Sequence, residues 1–253
     1  MAPLKEAERV ETVTLEFRFL GAFGVRCAGK WQCGPAPKKG REFIQYLGVY
    51  PHRVSTRDEL AAAFWPSLDF EAVSHRIHLA ASGARVFLRQ LCDGAEALEC
   101  VGSGYKWSTE VQVVSDVAQF MRYTRTATIE SLHAAMDLYG GDFLAGETAD
   151  WLQPMRVRIA SARASALEAI IEDQLSREQY PAALSFGLDL VEAEPGSENG
   201  TRLVMRCFAA LGQRTRALEQ YNHLKTYLAE QIGAEPTDET RQLAHRLIGR
   251  LVA

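Results

Sequence analysis

A pattern that returns after 34 residues in the C-terminal half is the strongest constraint on the fold. Ala183-Leu184 and Ala217-Leu218 each follow a short polar turn and open an amphipathic helical segment. Each segment runs toward a Glu-Pro pair, Glu194-Pro195 or Glu235-Pro236, and this second interval of 41 residues carries about one extra heptad. This period and order are typical of tetratricopeptide-like helix pairs. The second half is therefore predicted to be an array of packed helices.

The first half follows a different pattern, in which short strands precede three helices and a hairpin. Alternating apolar residues at positions 15–20 and the glycines that follow predict strands within residues 12–34. Residues 97–101 and 105–109 flank Gly102-Ser103-Gly104 and predict a β-hairpin. Helical spacing, with Pro51, Pro66 and Asp93-Gly94 as breaks, predicts helices over residues 38–50, 57–65 and 71–91. From Asp116 onward the pattern is helical throughout.

The predicted helix 71–91 has two distinct faces. One stripe is apolar and is expected to be buried: Val73, Ile77, Ala81, Ala84, Leu88 and Leu91. A second stripe, about 100–150° away around the helix, is polar and basic: His75, His78, Ser82, Arg85 and Arg89. A winged helix-turn-helix has this order of elements, in which three helices, the third amphipathic and basic, are followed by a hairpin. In such a domain the third helix enters the major groove. The alternative is an ordinary solvated helix face.

The net charge of −4 is unevenly distributed along the chain. Residues 1–110 hold 14 basic and 13 acidic side chains, whereas residues 111–253 hold 14 and 19. Within residues 38–89 the balance is +3. The acidity therefore belongs to the helical half, and the mildly acidic total does not exclude nucleic-acid binding by the first half.

Many separate motif blocks resemble one family, and they occur in its order. In the first half these blocks are residues 54–60, 64–66, 75–88 and 104–105. In the second half they are residues 138–144, 151–152, 156, 205–206, 211–212, 217–221 and 232–236. The first set resembles the OmpR-like winged helix of the SARP family, the antibiotic regulatory proteins of actinomycetes. The second set resembles that family's bacterial transcriptional activator domain, and the resemblance covers about residues 15–250.

The fold class predicted is mostly α with a small β component. The predicted domains are a winged helix-turn-helix over residues 12–110 and a tetratricopeptide-like activator domain over residues 111–253. The resemblance implies a bacterial transcription activator that is not an enzyme. It implies binding to direct repeats in promoter DNA, usually as a side-by-side homodimer, and contact with RNA polymerase and its sigma factor. The implied DNA-binding residues are Lys38, Lys39, Arg41, Arg53, Ser74, His75, Arg76, His78, Ser82, Arg85, Arg89, Ser103, Tyr105 and Lys106.

The end of the third helix departs from the family pattern. Gly83 and Val86 stand where the family usually has basic residues, and each lost phosphate contact weakens salt-dependent affinity for DNA. Leu79 and Val86 lie away from the apolar stripe, where they are expected either to contact thymine methyl groups or to pack on a neighbouring domain or subunit. The departure predicts weak DNA binding that depends on dimerisation or another protein. The alternative function is a non-enzymatic co-regulator or scaffold that acts through its helical repeats.

No catalytic residue, cofactor or metal site is predicted. His75 and His78 stand at i, i+3 but have no evident third ligand, and no phosphate-loop or hydrolase motif occurs. Five cysteines without a C-x-x-C pair are read as reduced thiols. No apolar run reaches the ~18–20 residues of a membrane span, and residues 1–11 lack the apolar core of a secretion signal. A cytoplasmic location without a membrane partner is expected.

Overall fold

The computed structural model describes residues 12–35, 37–68 and 70–249. The first 11 residues and residues 250–253 of the predicted second domain lie outside the described residues. The strands are β1 (Val13–Arg18), β2 (Gly24–Arg26), β3 (Ser55–Thr56), β4 (Leu98–Val101), β5 (Gly104–Trp107) and β6 (Val111–Ser115). The helices are α1 (Lys38–Val49), α2 (Arg57–Phe64), α3 (Phe70–Leu91), α4 (Asp116–Thr126), α5 (Ile129–Leu138), α6 (Gln153–Ser176), α7 (Tyr180–Ala193), α8 (Glu198–Ala210), α9 (Arg214–Tyr227) and α10 (Asp238–Gly249). The predicted fold class is confirmed.

The described residues form two compact units. The first unit extends to Arg122 and includes Leu138–Val157, and the second comprises Tyr123–Asp137 and the residues from Arg158. This division differs from the predicted boundary between residues 110 and 111, because β6 pairs in parallel with β1. The strand β6 was not predicted, since it is a short apolar run whose partner lies far earlier in the chain. The assignment of separate functions to the two predicted domains stays a prediction.

The first unit is built on two small sheets. One has the strand order β2-β1-β6 and the other β3-β5-β4. The inward side chains of β1 are buried as the alternation predicted, and the Phe17 and Phe19 rings stack with centroids 5.5 Å apart. In α1, the apolar residues Phe43, Ile44 and Leu47 are fully buried, because they share one face of the helix. The two sheets and α1 thus form the base on which α2 and α3 rest.

The helix α2 begins with a capping box. The Thr56 hydroxyl accepts from the Glu59 backbone N–H at 3.2 Å, and the Thr56 N–H donates to the Glu59 carboxylate at 3.0 Å. These two bonds satisfy backbone groups that a helix start otherwise leaves unpaired. Because Thr56 also belongs to β3, the cap fixes the start of α2 against the small sheet.

Residues 138–157 belong physically to the first unit, although their motifs resemble the activator domain. The Leu144 N–H donates to the Phe19 carbonyl at 2.7 Å, and the Gly21 N–H donates to the Asp142 carbonyl at 3.0 Å. Arg156 donates to the carbonyl oxygens of residues 143, 144 and 147 at 2.6–3.1 Å. This segment therefore extends the edge of the β1 sheet, and Arg156 holds its loop in shape.

In the second unit, α7 and α9 are equivalent elements of the 34-residue repeat. Ala183 and Ala217 are each the fourth residue of their helix and are completely buried. The small side chain at this position admits close contact with the facing helix. The longer second interval is explained by a π-helical turn, Leu228–Ile232, that follows α9 and ends at Gly233 with φ +72°. Within the described residues, no helix has the length and apolar character of a membrane span.

Candidate nucleic-acid interface

The buried face of α3 follows the predicted apolar stripe. Val73, Ile77, Ala81, Ala84 and Leu88 are all 1% exposed or less, and Leu91 at the end is half-buried. The alanines admit close packing of α1, since the Gly40 Cα faces the α3 backbone at Ala80 and Ala84. Alanine on the inner face of α3 therefore allows α1 to pack close to the α3 backbone.

The outer face of α3 carries polar and basic side chains. His75, Arg76, His78, Ser82 and Arg89 are exposed, whereas Ser74 and Arg85 are half-buried. The α3 sequence contains no Asp or Glu after Glu71, so no carboxylate of α3 itself interrupts this face. A helix with donors and no acceptor anions on one face is suited to phosphates and base edges.

Tyr105 is not a surface residue, and its predicted role as a DNA contact needs correction. It lies on β5 and is 1% exposed, because its ring packs edge-on against Phe43 with centroids 5.1 Å apart. Its hydroxyl lies 3.2 Å from Nδ1 of His78, and the Arg85 guanidinium lies over its ring at 5.7 Å. Tyr105 therefore positions two side chains of α3 from beneath.

The hydroxyl of Tyr105 stays protonated at neutral pH. Burial raises its pKa above 10.0, against the opposing effect of the nearby Arg57 and Arg85 charges. The Tyr105 hydroxyl and Nδ1 of His78 lie within hydrogen-bond distance, and the imidazole tautomer determines which of the two donates.

The hairpin β4–β5 is held against the start of α2. The Arg57 backbone N–H donates to the Ser103 carbonyl at 2.9 Å, and Ser55 and Thr56 pair with Tyr105 and Gly104. A Cβ at Gly104 would lie 2.6 Å from Val54 Cγ1 and 2.7 Å from the Ser55 carbonyl oxygen. Only glycine permits this close approach of β5 to β3. Neither this packing of Gly104 nor the hydrogen bond from the Arg57 backbone to the hairpin turn was predicted from the sequence.

Ser103 and Lys106 are the other two residues of the β4–β5 hairpin that were predicted to contact DNA. Ser103 is exposed at the turn after Gly102, whose φ is +56°. Lys106 is half-buried on β5 and forms an ion pair with Glu99 at 3.0 Å. The turn itself is thus accessible, while the nearby cation is partly neutralised by its cross-strand neighbour.

The basic residues at the start of α1 face carboxylates. Lys39 lies 2.7 Å from the buried Glu42, and Arg41 lies 3.0 Å from Glu147. Lys38 lies at the limit of ion pairing, 3.9 Å from Glu42 and 4.0 Å from Glu147. The sequence around α1 does not indicate that Glu147 is a partner of Lys38 and Arg41, because Glu147 lies about a hundred positions later, in the segment that extends the β1 sheet.

Two further predicted contacts are also ion-paired. Arg53 pairs with Glu59 and contacts the Tyr46 hydroxyl at 3.2 Å, while Arg89 pairs with Glu96. By contrast, among the side chains that the structure describes, no carboxylate lies within 4.0 Å of Arg76 or Arg85. Among the cations predicted to contact DNA, Arg76 and Arg85 of α3 are thus the two that have no such carboxylate partner. Within the described chain, no group of three or more potential metal ligands occurs.

Comparisons with known proteins identify the family. The model of the bacterial transcriptional activator domain matches residues 113–248, more than half of the chain. The chain belongs to this family and is a SARP-type regulator. The regulatory protein AfsR of Streptomyces coelicolor is 25% identical over 251 residues, which cover 96% of this chain and 25% of AfsR. AfsR of Streptomyces griseus is 25% identical over 218 residues, or 82% of this chain and 22% of that protein.

A solved structure supports the fold of this SARP-type regulator. Mycobacterium tuberculosis EmbR, in complex with a low-affinity phosphopeptide, superposes with a TM-score of 0.75 at 20% identity, covering 94% of this chain and 66% of that one. The SARP-type chain spans about a quarter of the length of the AfsR proteins. Both AfsR relatives are regulatory proteins.

Proposed function

We propose that this SARP-type regulator binds promoter DNA through the outer face of α3 and activates transcription. The observation that carries the proposal is the outer face itself, where Arg76 and Arg85 have no described carboxylate within 4.0 Å and the exposed His75 and His78 lie beside them. In this proposal α3 enters the major groove, and the turn at Ser103 approaches the adjacent backbone.

The family supports the remaining parts of the proposal. SARP-type regulators are expected to bind direct repeats as side-by-side dimers and to contact RNA polymerase and its sigma factor. We extend these partners, a cytoplasmic location and the lack of enzymatic activity to this chain. The activator domain over residues 113–248 is proposed to make the polymerase contact.

A co-regulator with weak independent DNA binding is the second candidate function. It is favoured by a specific observation, namely that Lys39, Arg41 and Arg53 are engaged with carboxylates and Gly83 adds no charge. Fewer free cations mean fewer released counterions and a lower affinity for DNA at physiological salt. The two candidates differ in whether the chain binds DNA without a partner.

DNA binding by the whole chain tests the proposal directly. The chain is incubated with a pool of randomised 30-base-pair duplexes, bound duplexes are enriched, and the enriched duplex is titrated by fluorescence anisotropy at 50 and 200 mM KCl. We expect a selected sequence whose affinity falls with salt. Arg76→Glu abolishes this binding, whereas Arg158→Glu, at an exposed position of α6, leaves it intact. A folded chain that enriches no sequence, or an Arg76→Glu variant that binds like Arg158→Glu, contradicts the proposal.

A further inference from the structure

Two large apolar side chains lie on the outer face of α3. Leu79 is 60% exposed and Val86 is 55% exposed, whereas the apolar residues on the opposite side of the same helix are buried. Leu79 and Val86 are seven positions apart, which is nearly two turns, so the two side chains lie within about 20° of each other around the axis. They form one line along the helix, about 10.5 Å from one Cα to the other.

This apolar line is the middle of the exposed face. At about 100° per residue, His75 and Ser82 lie within roughly 60° of Leu79. Arg76 flanks the line on one side, and His78 and Arg85 flank it on the other, about 100–120° from Leu79. The residues at the middle of such a face reach deepest when the helix enters a groove, and those at its margins reach the groove walls.

The flanking charges determine which occupant fits the line. Arg76 and Arg85 have no described carboxylate nearby, and no acidic residue follows Glu71 on α3. An apolar stripe between two cationic margins complements the major groove, whose two walls are phosphate strands and whose floor presents thymine C5-methyl groups.

We propose that Leu79 and Val86 read thymine methyl groups in the major groove and set the base preference of this regulator. The inference rests on the proposed DNA binding and adds the base class that it selects. A separation of about 10.5 Å along the helix corresponds to about three base pairs at 3.4 Å per pair. The preferred site therefore contains two thymines about three base pairs apart, and along the helix Ser82 lies between the two apolar contacts.

Deoxyuridine substitution isolates the methyl groups, because deoxyuridine pairs like thymidine but lacks the C5-methyl. The duplex enriched by the whole chain is remade with each thymine replaced in turn, and each duplex is titrated by fluorescence anisotropy. We expect affinity to fall about fourfold at each of two positions about three base pairs apart, the effect of one buried methyl group. Leu79→Ala removes the loss at one position, and Val86→Ala removes it at the other.

Val157→Ala is the matched control, because Val157 on α6 is 68% exposed. This variant retains both methyl effects. If a duplex is enriched but no deoxyuridine position changes the affinity, the inference is overturned while the proposed DNA binding stands. If Leu79→Ala and Val86→Ala leave the methyl effects intact and instead change the sedimentation of the free chain, the apolar line contacts a second copy and the inference is also overturned. If no duplex is enriched, both the inference and the proposed function fail.

Discussion

The start of α1 and the outer face of α3 are both basic in sequence, but only on α3 do two arginines, Arg76 and Arg85, lack a nearby carboxylate among the described side chains. Lys38, Lys39 and Arg41 lie close together along the chain, yet Glu42 and Glu147 are within 4.0 Å of them. Arg76 and Arg85 on α3 have no such partner among the described side chains. Local charge density therefore does not identify a nucleic-acid surface, since a carboxylate from a distant segment neutralises it.

The difference follows from what each helix packs against. The helix α1 lies in the middle of its unit, with eight of its residues buried, and its first turn meets the segment that contains Glu147. The helix α3 packs on one side only, through its alanine-rich stripe. A helix packed on one side leaves the other side for a ligand, whereas a central helix directs its charges to neighbours within the fold.

The largest expected effect compares paired charge removal on the two helices. Arg76→Gln with Arg85→Gln is expected to weaken binding to the enriched duplex about 10- to 100-fold and to lower the salt slope by about two, since each phosphate contact contributes about one. Lys38→Gln with Arg41→Gln is expected to change affinity less than about twofold, because these charges are already near carboxylates. Anisotropy titrations at four salt concentrations measure both. Equal losses for the two pairs would break the comparison.

Glycines on the two helices provide the second test. A Cβ at Gly48 of α1 would lie 2.8 Å from Phe19 Cζ and 3.2 Å from the Phe17 ring, so Gly48→Ala is expected to destabilise the chain by about 1–3 kcal/mol. Nothing lies within 4 Å of a Cβ at Gly83 of α3, so Gly83→Ala is expected to stabilise it by up to about 1 kcal/mol. Urea unfolding measures both changes. Two changes of the same sign would contradict the packing described for these helices.

The third test removes one tyrosine hydroxyl that contacts α3 and one that belongs to α1. Tyr105→Phe and Tyr46→Phe each lose a hydrogen bond to a neighbouring side chain, His78 or Arg53, and are each expected to lower the free energy of unfolding by about 1 kcal/mol. Only Tyr105→Phe is expected to weaken DNA binding, by a few-fold, because it releases the orientation of His78. Thermal unfolding and anisotropy separate the two effects. Unchanged DNA affinity in Tyr105→Phe would show that His78 needs no support.

The smallest effect concerns the ion pair that engages Arg53. The hydrogen bond from the Thr56 backbone N–H, with the nearby Arg53, lowers the pKa of Glu59 below 4.5. The ionised Glu59 carboxylate therefore contributes its full stabilisation of the fold above pH 4.5, and this contribution is lost as the pH falls through the lowered pKa. We expect less than about 1 kcal/mol, since solvent screens this exposed pair. Urea unfolding between pH 6 and pH 3 should show a flatter profile for Glu59→Gln than for the unchanged chain, and identical profiles would exclude this contribution.

Several features of the candidate interface were predictable from sequence alone. The helical spacing of residues 71–91 predicted that Val73 and Ile77 are buried and that Leu79 and Val86 lie away from the buried face, and the structure agrees. This was possible because helical periodicity depends only on local spacing. The roles of Tyr105 and Gly104 were not predictable, since they arise where β5 meets β3 and α3. A wing residue read as a surface contact proved to be a buried support for His78.

The sequence by itself determined the helix pairs, the two-faced α3 and the family, because repeat period, amphipathic spacing and motif order are properties of the linear chain. The tertiary structure alone decided that residues 138–157 and β6 join the first unit, and which cations remain available. These outcomes depend on pairings such as Leu144 with Phe19 and Arg41 with Glu147, which join residues about a hundred positions apart. No local pattern encodes such a pairing, because its stability depends on backbone hydrogen bonds and charges that meet only after folding.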